Sequence, residues 1–205
     1  MIDNRVSCFI LIMSMDESIS PSVPFLSPVF RLTALLIFAF PNTPHSILDR
    51  LPDALRNGLP RNLAEVSVDP VEFSLPADAY VPARRQYSTD PFLDIVGHRV
   101  PPGKHGLGLV NLDLFVPSLN FIFGLAQHGG NALVALPRLS PVFYGLPENE
   151  ELYFERVAKE ALHEVGHVFG FSHCRQRCVM RFSNCLDDTD RKPSTFCPNC
   201  LKQLH

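Results

Sequence analysis

Twelve residues, His163 to Cys174, read HEVGHVFGFSHC and hold three of the chain's eight histidines, one glutamate and one cysteine. His163 and His167 are four apart, so on a helix both imidazoles project from one face at a separation suited to a single ion. Glu164 is one residue round from His163; it points beside that ion and reaches a water bound to it. Gly170 supplies a left-handed end to the helix without a Cβ penalty, and His173, just beyond, swings back as a third ligand. Three neutral imidazoles leave Zn²⁺ its full charge and one open position, which lowers the pKa of a bound water to about 7. Glu164 then acts as general base and passes the proton to a leaving amine. The plain alternative, solvated helix histidines with a capping glycine, accounts for a bare HExxH but not for Gly170 and His173 at this spacing.

A second constellation follows at once in HCRQRCVMRFSNCLDDTDRKPSTFCPNC. Cys174 and Cys178 fall in one loop, and Cys197 and Cys200 form a C-x-x-C knuckle, a spacing that suits a tetrahedral zinc held by four thiolates. Such a site has no open position, so its expected role is structural: it ties the C-terminal tail to the loop that carries His173. Two disulfides are the alternative, and the lack of a recognisable secretory signal speaks against them. Cys185 is left over as an expected buried thiol, and Cys8 lies in the N-terminal stretch.

These groups need a helix and a sheet to hold them. The helix starts near Asn149, a good N-cap, with Glu150 and Glu151 in its first turn where the macrodipole favours acids. Leu152, Val157, Ala161, Val165 and Val168 recur at helical spacing. Upstream, LTALLIFAF reads as a buried strand and PHSILDRLPDALRNG as a helix bent or cut at Pro52. AEVSVDPVEFSL alternates like a strand that Pro70 restricts to an edge. A short helix is expected near Asp90 to Val96, then a strand through Leu107, Leu109, Val110, Leu112, Leu114 and Val116. NFIFGLA and NALVALPRL are two more strands joined by the turn QHGG. Strands alternating with helices predict an α/β fold with a mixed sheet.

The whole chain sets limits. Its 205 residues, 46% hydrophobic and 19% charged, suffice for one compact domain with a real core. A net charge of -3 gives no global pull toward phosphate backbones or anionic lipid, so nucleic acid is not the expected partner. The apolar run Val6 to Met13 is too short to span a bilayer, and Asp16 and Glu17 follow it where a signal peptide would carry a cleavage site. Membrane attachment and secretion are therefore not expected, and a cytoplasmic monomer is. Residues 1–31, with their Ser/Pro-rich stretch, read as an irregular extension ahead of a single domain at 32–205. Within that domain, 32–170 carry the sheet and the histidine helix, and 171–205 form the tail.

His163, Glu164, His167, Gly170 and His173 together match the metzincin pattern, and Met180 stands where the Met-turn methionine of that clan floors the catalytic zinc. The cysteine after the third histidine, the CVM of Cys178 to Met180 and the FCPNC that ends at Cys200 narrow the likeness: the chain resembles the archaemetzincins, zinc metallopeptidases with an additional four-cysteine zinc. The resemblance extends upstream through DLFVPSLNFIFGLA and ALVALPRL. It implies a metzincin-like twisted mixed sheet, an active-site helix, a small zinc-bound C-terminal subdomain, two zinc ions and a peptide or protein substrate. It also implies that NALVAL is the edge strand on which an extended peptide pairs. Two residues after Met180 stands Phe182, so the tyrosine that some metzincins use there as an extra ligand has no counterpart. His128, in the turn before that strand, is expected to face solvent rather than the cleft. A zinc-ribbon-like module using Arg175, Arg177, Arg181 and Lys192 for nucleic acid, or a structural or sensing zinc protein, is the alternative; either leaves Glu164 and the open histidine site unexplained.

Overall fold

The computed structural model describes residues 34–60, 65–71 and 73–204. The N-terminal extension expected at 1–31, with Cys8, lies outside the described residues.

The apolar run near the start forms β1 (Leu35–Ala39), parallel to β5 (His105–Val110) on one side and to the short β2 (Val66–Val68) on the other. Leu35, Ile37 and Phe38 are fully buried, as a parallel strand covered on both faces requires. Between β1 and β2 runs α1 (His45–Gly58). It buries Ile47, Leu51 and Leu55 and passes through Pro52 without being cut. The burial of Leu51 and Leu55 on either side of the proline holds the helix across the hydrogen bond that Pro52 cannot make. β2 stops before Pro70 at the sheet edge, where a missing donor costs nothing.

The apolar stretch from Leu107 to Val116 is two strands rather than the single one its pattern suggested. β5 ends at Val110, and β6 (Leu114–Phe115) joins a small second sheet with β3 (Tyr80–Val81) and β4 (Gln86–Ser88). Asp113 makes the break: its carboxylate takes Nε and Nη2 of Arg138 at 2.6 and 2.8 Å, an arrangement a sheet interior would not accommodate. α2 (Asp90–Arg99) packs Phe92, Leu93 and Val96 on the face of the main sheet opposite α1.

The main sheet has the order β2-β1-β5-β8-β7, where β7 is Gly124–Ala126 and β8 is Ala132–Ala135. β8 is parallel to β5, and β7 turns back antiparallel to β8. This corrects the expectation that NALVAL is the edge strand. Ala132 to Ala135 are all buried, with β5 on one side and β7 on the other, and β7 is the edge. A strand apolar on both faces belongs inside a sheet, and the QHGG turn folds the preceding segment back to cover it.

α3 (Glu150–Val168) crosses the same sheet face as α1. After it the described part of the tail contains α4 (Leu186–Arg191), α5 (Pro198–Leu201), a 3-10 turn at Lys202–Leu204 and irregular turns. Phe171, Cys178, Val179, Met180 and Phe196 nevertheless share one core cluster with α1, α3 and the sheet. No helix among the described residues is long and apolar enough to cross a membrane.

Candidate active site and metal centres

α3 begins as its sequence predicts: Asn149 Oδ1 accepts the backbone N–H of Leu152 at 3.0 Å. One stripe of the helix is polar yet buried. Arg156, Lys159, Glu160, His163 and Glu164 are each at most 5% exposed, and each finds its reason in the residues that fold over it. Arg156 makes a two-pronged pair with Asp190 at 2.6 and 2.7 Å and also donates to the Leu139 carbonyl. Lys159 donates to the carbonyls of Thr189 and Asp190. Thr189 Oγ1 donates to Glu160 Oε1 at 2.8 Å, and the fully buried Lys192 ammonium stands 2.8 Å from the same oxygen. Sequence reasoning missed this set. Its one signal was polar residues three and four apart on the face that carries the imidazoles.

Farther along the stripe the imidazoles converge. His163 Nδ1 donates to the Val179 carbonyl at 2.8 Å and His167 Nδ1 to that of Phe171 at 2.7 Å. With the protons on Nδ1, the Nε2 lone pairs face inward. His167 Nε2 lies 3.1 Å from that of His163 and 3.2 Å from that of His173. Nitrogens held about 2.0 Å from a tetrahedral zinc stand about 3.3 Å apart, so the donor set fits that ion. Gly170 makes the arrangement reachable: at φ 85 it ends the helix in the left-handed region, and Phe171 N–H closes on the Gly166 carbonyl at 3.0 Å.

Burial holds the imidazoles neutral. It pulls His163 down to about 2, aided by the nearby Lys192 charge, and His167 down to about 4. His173 is lowered for the same two reasons, burial first. The Glu164 carboxyl is pushed the other way, first by burial and then by Glu160. Its side chain lies against Gly124 of β7, where an added Cβ would stand 2.5 Å from Oε1. Met180 is fully buried beneath the helix, its sulfur against Gly166. Phe182 packs its ring edge-on to His173 at 4.8 Å between centroids. A cleft of about 210 Å³ opens beside Glu164, lined by Phe121, Phe123, Glu160, Phe182, Ser183 and neighbouring residues. His128 is exposed as expected, yet its ring centroid is 6.0 Å from that of His167.

The four cysteines gather behind His173. Cys174 and Cys197 sulfurs are 3.7 Å apart, as are those of Cys178 and Cys200. Sulfurs at about 2.3 Å from a tetrahedral zinc have edges of about 3.8 Å, whereas a disulfide would hold them at about 2 Å. Backbone N–H groups of Gln176 and Cys197 point at the sulfurs of Cys174 and Cys178. Burial pushes the Cys197 thiol up, but donors from the backbone and side chain of Cys200 bring it down to about 7. The Cys174 N–H bonds the Met180 carbonyl and the Val179 N–H that of Thr195, so this centre and the imidazoles share one loop. Cys185, expected as a buried thiol, is half-buried near Asp188.

The chain is similar to known proteins in sequence and in fold. The sequence profile of peptidase family M54 matches residues 79–205. The archaemetzincin of Thermococcus kodakarensis is 43% identical over 148 residues, covering 70% of this chain and 80% of that protein. The archaemetzincin of Archaeoglobus fulgidus is 40% identical over 163 residues, 78% of this chain and 95% of that one. The crystal structure of archaemetzincin from Methanopyrus kandleri superposes with a TM-score of 0.73 at 38% identity, over 87% of this chain and 97% of that one. A zinc-dependent peptidase from Methanocorpusculum labreanum does so with a TM-score of 0.72 at 27% identity, over 84% of this chain and all of that one.

Proposed function

The chain belongs to the archaemetzincins, peptidase family M54, and is a zinc metallopeptidase; from that premise we propose that His163, His167 and His173 hold its catalytic zinc and that Glu164 is its general base. The observation that carries this assignment is the meeting of three Nε2 atoms at 3.1 and 3.2 Å beside a buried carboxylate. Zinc held by three neutral imidazoles supplies a Lewis acid that makes water acidic and polarises a carbonyl. The residues of the chain do the rest. The Val179 and Phe171 carbonyls fix the two helix imidazoles in orientation and tautomer. Glu164 takes a proton from the attacking water on its carboxylate and returns it to the departing amine. The free edge of β7 pairs with an extended peptide and lays the scissile bond across the imidazoles. The cleft beside Glu164 then takes the side chain that follows that bond.

Cys174, Cys178, Cys197 and Cys200 hold a second, structural zinc in this reading, supported by their 3.7 Å sulfur spacings. Gly170 and Met180 shape the catalytic centre without binding the ion. Cysteines kept reduced as zinc ligands suit a reducing compartment, which supports reading the chain as cytoplasmic.

Glu164→Gln tests the catalytic assignment. The amide keeps the size and the helix but cannot act as base, so zinc content and melting temperature should match the wild type. Peptide hydrolysis should fall by roughly 10²-fold to 10⁴-fold. Wild-type rates in the variant would remove Glu164 from the mechanism.

A further inference from the structure

We infer that His128 contacts the substrate in the reaction, its imidazole donating a hydrogen bond to the carbonyl oxygen of the scissile bond as negative charge builds there. The inference rests on the assignment of the three imidazoles and Glu164 above. It comes from how β7 and its following turn run past α3. Gly124, at the start of β7, lies against the Glu164 carboxylate. Four residues on, the His128 ring stands 6.0 Å from that of His167, with the two planes 36° apart. The next residue, Gly129, donates its N–H to the Val168 carbonyl at 2.9 Å, which fastens the turn to the end of the helix. Strand and helix therefore advance side by side. Glu164 stands at one end of the shared stretch and His128 at the other, beside His167, whose Nε2 meets those of His163 and His173.

An extended peptide paired with the β7 edge follows this line. Its scissile carbonyl sits over the imidazoles, with Glu164 toward the leaving amine and His128 toward the other side. The facing wall offers no counterpart at Phe182: its ring packs on His173, and a phenyl carries no N–H or O–H. His128 is exposed, on a turn with two glycines behind it, so its ring is accessible to a bound peptide. The proton stays on the imidazole throughout. The bond strengthens as the carbonyl oxygen gains charge, which places its benefit in the transition state rather than in binding.

The test uses the zinc-loaded full chain and compares wild type with His128→Ala and His128→Gln. The probes are a quenched-fluorescent peptide selected as cleaved by the wild type, and a phosphinic peptide that mimics the tetrahedral oxygens. Loss of one such donor costs about 10²-fold to 10³-fold in kcat. His128→Ala should therefore lower kcat by about 10²-fold with KM changed by only a few fold, and should weaken the phosphinic peptide comparably. His128→Gln, which keeps an N–H, should recover part of both losses. Zinc content and melting temperature should not change in either variant. The inference is overturned if His128→Ala retains wild-type kcat and phosphinic affinity, if its loss falls on KM alone, or if it loses a zinc ion. Those results leave the catalytic reading standing. That reading instead fails if the wild type holds no zinc at the imidazoles or if Glu164→Gln hydrolyses normally, and His128 falls with it.

Discussion

The imidazoles and the glutamate next to them are driven in opposite directions by one cause. Removal from water disfavours the charged form of each, so His163 and His167 stay neutral while Glu164 holds its proton more firmly than a free carboxyl. Neutral imidazole is the ligand form, and a firmer proton hold suits a base that must accept a proton and then hand it on. A pH prediction follows for the metal. Protons compete with zinc only below the pKa of the ligand, and here the competing pKa values of the two helix imidazoles are pulled to about 2 and about 4 from 6.5. Lowered values move the loss of metal toward acid. Dialysed in zinc-buffered solution, the chain should keep the imidazole-held ion from pH 7 down to about pH 5. Cobalt substitution that shows the imidazole-bound ion, and not the thiolate-bound one, leaving between pH 7 and 6, where ordinary imidazoles begin to protonate, would contradict this account.

At the scale of elements, α3 works through a single stripe. Its first half is closed by ion pairs to the tail, Arg156 with Asp190 and Glu160 with Lys192. Its second half carries the imidazoles. Because Lys192 is buried and Glu160 nearly so, removing either alone would strand a charge with little access to water, which disfavours other dockings of the tail. The four cysteines gather on the loop that brings His173 round, and in the proposed reading a zinc held there secures it. Two zinc ions per chain with different duties should follow. Cys197→Ser should lose one ion and much of the thermal stability, since structural zinc contributes on the order of 10 kcal/mol to folding. His167→Ala should lose the other ion and melt closer to the wild type. A single zinc in the folded wild type, or equal destabilisation by both substitutions, would contradict the division.

For the molecule as a whole, we read residues 32–205 as one domain in which 171–205 form a tail that shares the main core. Phe171 and Phe196 contact each other within the cluster that also holds Leu35, Leu51 and Val165. β1 is already paired on both sides, with Leu35, Ile37 and Phe38 fully buried. A chain that starts at Leu32 should therefore melt within a few degrees of the full-length protein. Differential scanning calorimetry showing a larger drop would make residues 1–31 part of the folded core.

What the sequence determined by itself is the chemistry that neighbours along the chain can carry. His163, Glu164 and His167 need only helical periodicity to share a face, Gly170 needs only its missing Cβ, and Cys197 with Cys200 needs only a turn. The α/β class was legible for the same reason, because β1 and α3 state their periods locally. The tertiary structure decided what depends on distant partners. Asp113 breaks an apparent strand because Arg138 is folded beside it. β7, not β8, becomes the edge because strand order is set by packing, to which a local apolar pattern is blind. Glu160 is buried because Lys192, thirty-two positions on, arrives as its counter-charge. His128 reads as a solvent-facing turn residue in the sequence and stands beside His167 in the fold, because only the packing of β7 against α3 brings that turn to the imidazoles.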